Sequence, residues 1–295
     1  MIKFNKLLKL IWMSSALIFI ISCEKDITVD LPDYEPKIVV EGWIEQNQLA
    51  MVILTKSSPY FSSVDSTALV ELIITDATVI VSDGSVSDTL SLVLDNCYFP
   101  PFVYKGHILK GQIGATYYLT IEIQGKTLTA TTSIPQPVPF DSIWFEPEPE
   151  KGDSLGFIWA HYTDPPETGN CYKIFTKRLG RDNKFIPIFG SIYEDSYFNG
   201  KDLVFSMYRG IQSFINEEEY EDDPELGYFK INDTIVVKNC SIDRDVYDFW
   251  RTTYQVMFSG DNPFVPSIII NTNIKGGGLG VWGGYGASYD TIIAK

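Results

Sequence analysis

Residues 116–132 read T-Y-Y-L-T-I-E-I-Q-G-K-T-L-T-A-T-T, and this stretch decides the fold class of the first half of the chain. Polar and apolar side chains alternate along residues 116–123, which is the pattern of a β-strand with one buried face. Gln124 and Gly125 supply turn chemistry, and residues 126–132 resume with β-branched side chains that favour a strand. The stretch therefore predicts two strands joined by a tight turn.

Shorter runs of the same character precede this hairpin. They are rich in β-branched and aromatic residues, and they cover residues 38–44, 51–55, 70–74, 77–81 and 90–94. Asp83-Gly84 between two of the runs is a strong hairpin signal. Short strands with turn signals at roughly 8- to 12-residue spacing, and no helical stretch, predict a β-sandwich of the immunoglobulin or fibronectin-III type over residues 37–134.

Residues 134–139, I-P-Q-P-V-P, form a proline-rich connector. Each proline ring fixes φ and removes a backbone donor, so we place a domain boundary here. Residues 141–295 are predicted to form a second β-sandwich in tandem with the first. Its candidate strands are residues 154–161, 171–178, 184–189, 202–209, 234–238 and 267–274.

Residues 241–258 break the strand pattern of the second half. Their apolar side chains recur at spacings of three and four, as on one face of a helix: Val246, Phe249, Trp250, Thr253, Tyr254 and Met257. Ser241 is predicted to cap the first turn, where Asp243 and Asp245 lie favourably near the positive end of the helix. The fold prediction is thus a mainly β protein with one amphipathic helix, whose aromatic face packs on the second sheet.

Residues 1–26 read M-I-K-F-N-K-L-L-K-L-I-W-M-S-S-A-L-I-F-I-I-S-C-E-K-D and have the layout of a secretory signal. Three lysines precede an uncharged apolar run, which is shorter than the roughly 20 residues that span a bilayer as a helix. Cys23 follows the small residue Ser22 directly, which resembles a bacterial lipobox.

We therefore predict a lipoprotein signal peptide over residues 1–22, acyl chains on Cys23 and a lipidated tether over residues 23–36. Several acyl chains on one residue hold a protein to a membrane. The alternatives are an ordinary signal peptide with an incidental cysteine, or an uncleaved anchor.

The charge of the chain limits its partners. The formal net charge is −15, and residues 1–22 hold three lysines and no acidic residue, which leaves −18 for the remainder. Such a surface repels nucleic acid and anionic lipid headgroups, so neither is expected as an electrostatic partner.

Three cysteines follow Cys23, namely Cys97, Cys171 and Cys240. An exported protein can form disulfides, but an odd number allows at most one internal bond here. Cys171 and Cys240 share the second half and are the predicted pair. Three free buried thiols are the alternative.

The motifs of catalysis are missing from the sequence. The two histidines, His107 and His161, lie far apart, and there is no G-x-S-x-G, H-E-x-x-H or paired C-x-x-C motif. The acidic run at residues 217–225 lacks a calcium-loop pattern and is expected to be a solvated loop. We therefore predict no enzyme, and assign no catalytic, cofactor or metal residue.

Residues 278–283 match the letters of the G-x-G-x-x-G motif, but more glycine and aromatic residues follow where a dinucleotide site requires a helix. The sequence also reaches Lys295 before the acidic residue that such a site has about 20 residues further on. The segment instead predicts a glycine-rich turn and a twisted final strand packed on the core. The alternative is that Trp282 and Tyr285 stack on the ring of a ligand or form a partner surface.

Four stretches in this order resemble the DUF4249 lipoproteins of Bacteroidota, a family of unknown function. They are C-E-K-D at residues 23–26 with P-K-I-V-V-E-G at 36–42; Y-Y-L-T-I at 117–121 with I-P at 134–135; D-P-P at 164–166 with N-C-Y at 170–172 and F-N-G at 198–200; and N-I-K-G-G-G-L-G-V-W-G-G-Y at 273–285. The resemblance implies an outer-membrane lipoprotein, often encoded beside a TonB-dependent transporter. Glu24 after the cysteine resembles a signal for display on the cell surface.

The expected function is that of a non-enzymatic accessory subunit of a TonB-dependent nutrient transporter, held at the outer membrane through Cys23. A stand-alone surface lipoprotein that binds glycan or peptide is the first alternative. A hydrolase using His107 or His161, and a fimbrial subunit with an accepting edge strand, are the others.

Overall fold

The computed structural model describes residues 34–59, 66–152, 154–210, 223, 225–259 and 268–295, and there the chain is mainly β. The strands are β1 (Ile38–Glu45), β2 (Leu49–Lys56), β3 (Thr78–Ser82), β4 (Ser87–Leu94), β5 (Phe102–Lys110), β6 (Thr116–Ile123), β7 (Lys126–Ser133), β8 (Ser142–Pro147), β9 (Leu155–Thr163), β10 (Cys171–Arg178), β11 (Ile186–Glu194), β12 (Asp202–Met207), β13 (Phe229–Lys230), β14 (Thr234–Ile242) and β15 (Leu279–Ile293). The α-helices are α1 (Ser66–Glu71) and α2 (Arg244–Ser259).

The hairpin predicted from residues 116–132 is confirmed as β6 and β7. The two strands pair antiparallel, and the pair Ile123 and Lys126 closes the turn. Gln124 and Gly125 have φ of +48° and +75°, the left-handed conformations that a tight hairpin turn requires. Alternate residues of β6 are buried, as the alternating sequence predicts.

The strands form two sheets. One has eleven strands in the order β11-β10-β14-β15-β1-β2-β5-β4-β3-β6-β7. In the other, β9 pairs with β8, β12 and β13. The C-terminal strand β15 lies between β14 and β1 and pairs parallel with β1. The first and last strands of the chain are therefore neighbours in one sheet.

The predicted arrangement of two tandem sandwiches is not confirmed by this topology. Pro36–Lys295 form one compact unit, and β15 joins the strands of the first half to those of the second. The connector that was expected to separate two domains instead packs against β15. A Cβ at Gly284 would lie 2.1 Å from the carbonyl oxygen of Ser133, and one at Gly286 would lie 2.0 Å from that of Pro135. Only glycine allows this approach.

Two strand predictions are wrong. Residues 66–71 form helix α1, so the predicted strand at residues 70–74 is reduced to an isolated bridge between Ile73 and Thr55. Residues 268–274 belong to no strand, although the sequence pattern predicts one there. Conversely, β5 and β8 form without having been predicted.

Helix α2 confirms the helix predicted over residues 241–258, with a different cap. Ser241 lies inside β14, and its hydroxyl has no hydrogen-bond partner. Asp243 is the capping residue, because its Oδ1 accepts a hydrogen bond of 3.0 Å from the amide of Val246. Its Oδ2 accepts from Thr132 Oγ1 at 2.6 Å, which ties the start of the helix to the end of β7.

The aromatic face of α2 packs on the large sheet as predicted. Phe249 and Trp250 contact a buried cluster that includes Tyr285, Val246 and Cys240. The last turn is different, since Met257 is mostly exposed. Among the described residues, no helix combines the length and the apolarity needed to cross a membrane.

Candidate functional site

A cavity of about 210 Å³ lies between the two sheets in the second half of the chain. The smaller sheet contributes residues from β9 and β12, and the larger sheet contributes residues from β10, β11 and β14. The lining is almost entirely aromatic and aliphatic: Phe140, Tyr162, Tyr172, Ile174, Tyr193, Phe198, Leu203, Val204, Phe205 and Asn239. An apolar concave site with a few polar groups is the usual form of a small-molecule site.

Edge-to-face contacts fix the aromatic walls. The ring centroids of Phe140 and Tyr162 are 5.8 Å apart, and those of Tyr162 and Tyr172 are 5.4 Å apart, with interplanar angles of 73° and 77°. Phe205 packs in the same way on Phe140, at 6.1 Å. These arrangements match the favoured geometry of aromatic pairs, so the walls are held in place without a ligand.

Two buried polar atoms of the lining have no hydrogen-bond partner in the described structure. Asn239 is 2% exposed, and its Nδ2 donates to the carbonyl of Val138 at 2.9 Å, but its Oδ1 accepts from no group. Tyr162 is 4% exposed, and its hydroxyl is also unpaired. Leaving a buried polar group unpaired costs about 1–3 kcal/mol, so each such atom requires an explanation.

Tyr172, whose ring packs on that of Tyr162, differs from it because its hydroxyl has a hydrogen-bond partner. Tyr172 donates its hydroxyl proton to Asp164 Oδ1 at 2.7 Å, and Asp164 Oδ2 accepts from the amide of Gly200 at 3.1 Å. Burial raises the pKa of Tyr162 above its ordinary value, and the neighbouring hydroxyl of Tyr172 offsets part of this rise. Burial also raises the pKa of Tyr172. Both phenols therefore remain protonated and neutral at physiological pH.

Strand β12, an outer strand of the smaller sheet, forms one side of the cavity. Val204 on this strand belongs to the lining and is 58% exposed. An outer strand has fewer hydrogen-bonded neighbours than a central one, so this side of the cavity is the easiest to open.

The predicted lipidation residue, Cys23, lies outside the described residues. The predicted pair Cys171 and Cys240 are free thiols on neighbouring strands. Their register is offset, because Cys171 faces Ile242 while Cys240 faces Lys173. Such diagonal neighbours have Cα atoms about 7–8 Å apart, beyond the usual range for a disulfide.

The alternative prediction was that all three cysteines are free and buried. Cys171 and Cys240 are free and buried, whereas Cys97 is free but exposed. Burial raises the pKa of Cys171 to about 11 and that of Cys240 to about 12. Both buried thiols are therefore protonated and poorly nucleophilic at neutral pH.

The other two predicted site residues lie in the core, which corrects the suggestion that they form a ligand or partner surface. Trp282 is fully buried, and its Nε1 donates to the carbonyl of Tyr117 at 3.2 Å. Tyr285 is buried on the opposite face of β15, where its hydroxyl accepts from Trp250 Nε1 at 3.4 Å. Neither ring is available to a ligand at the surface.

The histidines are on different sheets. His107 lies in β5, with Nε2 at 2.8 Å from Ser91 Oγ, and His161 lies in β9, with Nδ1 at 3.7 Å from Asp141. Of the acidic run, the structure describes Asp223 and Glu225, and both form ion pairs with cationic side chains. Across the described ranges, no three His, Cys, Asp or Glu side chains group in a way that could hold a metal ion.

Sequence reasoning did not identify the cavity. The predicted strands at residues 154–161 and 234–238 each stop one residue before a key polar group, Tyr162 and Asn239. The available signal was a polar side chain in an otherwise apolar strand, as in V-V-K-N-C at residues 236–240.

Fold and site together define a mainly β protein with a ligand-sized aromatic cavity between two sheets. Residues 24–290 match the family described as "Domain of unknown function (DUF4249)", and the chain belongs to this family. No curated protein matches its sequence. This match confirms the family that the four stretches indicated; the lipid anchor and the bacterial lineage stay predictions.

Proposed function

We propose that this protein is a non-enzymatic, lipid-anchored accessory of a TonB-dependent nutrient transporter at the outer membrane of a member of the Bacteroidota, and that it binds a small ligand in its inter-sheet cavity. The observation that carries the proposal of a bound ligand is that two residues lining an apolar cavity, Tyr162 and Asn239, each have a buried polar atom without a hydrogen-bond partner. A group of this kind is explained when a ligand or water supplies the missing hydrogen bond.

The attachment to the membrane is supported by the sequence of residues 1–26. A short apolar run followed by Ser22 and Cys23 has the layout of a lipoprotein signal. The strongly acidic remainder of the chain has no attraction for anionic headgroups, so the lipid would be its attachment to the bilayer. The partnership with a transporter rests on the family resemblance, as does display on the cell surface.

A stand-alone binding lipoprotein is the second candidate. It is supported by the cavity itself, which is lined by described residues of a single chain. The two candidates differ in whether the protein is found in a complex with a transporter.

Cys23→Ala is expected to remove the protein from the outer-membrane fraction, because the variant has no thiol to carry acyl chains. Cys97→Ala, which removes an exposed thiol elsewhere, is the matched control and is expected to stay in that fraction. The measurement is membrane fractionation, with mass spectrometry of the mature N-terminus. An unchanged distribution of Cys23→Ala, or an unmodified thiol at the N-terminus of the native protein, would rule out the proposed anchor.

A further inference from the structure

We infer that the inter-sheet cavity binds one uncharged, ring-containing small molecule that donates a hydrogen bond to Asn239 Oδ1 and shares a second one with Tyr162 Oη. This inference deepens the proposed function and rests on it for its biological meaning. The binding itself is a property of the isolated chain and is measured without a transporter.

The polarity of the ligand follows from Asn239. Its Nδ2 already donates to the carbonyl of Val138, and this bond assigns the nitrogen and oxygen ends of the amide. The free atom is Oδ1, which can only accept a hydrogen bond. The ligand must therefore present an N–H or O–H group at this point. The hydroxyl of Tyr162 can donate or accept, so it complements either a donor or an acceptor on the same ligand.

The charge of the ligand follows from the lining. No charged side chain is among the described residues that form the walls. Asp164, which contacts the lining residue Tyr172, is not itself part of the lining and already accepts from Tyr172 and Gly200. A charged ligand would lose its hydration without gaining a counterion, which is strongly unfavourable. The cavity therefore favours a neutral molecule.

The size of the ligand follows from the volume. An apolar cavity of about 150 Å³ is sufficient to bind benzene. At about 210 Å³, this cavity has room for a single substituted ring or for two fused rings. Because its walls are mainly aromatic, a flat ring can make stacked or edge-to-face contacts with them. 1H-Indazole has the required shape and neutrality, one N–H group that can donate to Asn239 Oδ1 and one ring nitrogen that can accept from Tyr162 Oη, and it serves as the probe.

The experiment is a calorimetric titration of the full chain in lipid nanodiscs, with empty nanodiscs as the blank. The probes are 1H-indazole, indene, which has the same shape but neither nitrogen, and 1H-indazole-3-carboxylate, which adds a charge. We expect saturable binding of one indazole per chain. Indene is expected to bind at least about fivefold more weakly, since the loss of even one hydrogen bond has about this effect. The carboxylate is expected not to bind measurably.

Two variants test the named atoms. Asn239→Leu and Tyr162→Phe should each weaken indazole binding by about fivefold or more, and should leave indene binding within about twofold. Tyr162→Phe has a second readout, because it removes an unpaired buried hydroxyl. Its melting temperature without ligand should be unchanged or higher, although its affinity for indazole falls. Tyr247→Phe, at a buried tyrosine of α2 that does not belong to the cavity lining, is the control and should change neither affinity.

Equal affinities for indazole and indene, unaltered indazole binding by Tyr162→Phe, or no binding of any probe would overturn the inference. The last result would mean that the cavity holds only water. If the chain is isolated with a transporter but binds no probe, the ligand inference is wrong and the accessory role is supported. If the chain binds the probe but is never isolated with a transporter, the ligand inference is supported and the accessory role is wrong.

Discussion

Gly284→Ala is expected to lower the free energy of unfolding by about 3 kcal/mol or more, because the new methyl group has no space. The added Cβ would lie 2.1 Å from the carbonyl oxygen of Ser133 and 2.6 Å from its carbonyl carbon, and both atoms belong to the backbone. The amide of Gly284 also donates to Thr132 Oγ1 at 2.8 Å. Relief of the clash must therefore move the end of β7, and the connector that follows it, away from β15 and weaken this hydrogen bond.

Gly283→Ala is the matched control one residue earlier in the same strand. A Cβ there would meet the side chains of Tyr285 and Val246 at 3.2 Å, contacts that small shifts can relieve. Its expected cost is about 1 kcal/mol or less. Urea unfolding followed by tryptophan fluorescence measures both variants. Equal losses for Gly283→Ala and Gly284→Ala would contradict the packing of the connector on β15.

Asp88→Ala is expected to destabilise the protein by a similar amount, about 3 kcal/mol or more. Asp88 is buried in β4, and its Oδ2 accepts hydrogen bonds from the amides of His107, Ile108 and Leu109 at 2.8, 2.9 and 3.0 Å. Alanine would leave three backbone donors of β5 without a partner, and each buried unpaired donor costs about 1–3 kcal/mol.

Asp83→Ala is the control for this substitution. Asp83 also accepts from two backbone amides, those of Ser85 and Val86, but it is exposed in a turn. Water replaces a lost partner there, so we expect a much smaller loss of stability. Chemical unfolding measures both variants, and a loss for Asp83→Ala as large as that for Asp88→Ala would contradict the role assigned to Asp88.

The pH dependence gives the Asp88 prediction a second readout. Burial alone would raise the pKa of Asp88, but the three amide donors outweigh it and hold the pKa below the ordinary value of 3.8. A carboxyl with a lowered folded-state pKa stabilises the fold above its unfolded-state pKa and loses this effect as the pH falls through the folded-state pKa. The stability difference between the native protein and Asp88→Ala should therefore be constant near neutral pH and narrow below pH 3.8.

Local sequence signals predicted the elements that local interactions form. The alternation of residues 116–123 and the turn residues Gln124 and Gly125 are sufficient to specify β6 and β7. The spacing of Val246, Phe249 and Trp250 likewise specifies α2. Strand β5 was not predicted, because Pro100 and Pro101 precede it and Lys105-Gly106-His107 interrupts its apolar pattern.

The pairing of strands that lie far apart in the sequence could not be predicted from local signals. The glycines of β15 read as a turn followed by a final strand, but nothing local shows that β15 pairs parallel with β1 at the other end of the chain. The offset between Cys171 and Cys240 depends on strand register, which spacing along the sequence does not fix. The cavity is similarly non-local, since Tyr162 and Asn239 come from different sheets and meet only through packing.

The central claim is that this protein works as a partner of an outer-membrane transporter, and affinity isolation tests it most directly. The tagged full chain is recovered from detergent-solubilised outer membranes, and its partners are identified by mass spectrometry against an untagged strain. The account predicts a TonB-dependent transporter in roughly equal amount with the tagged chain. Recovery of the chain alone, with no transporter above the level of the untagged control, would contradict it.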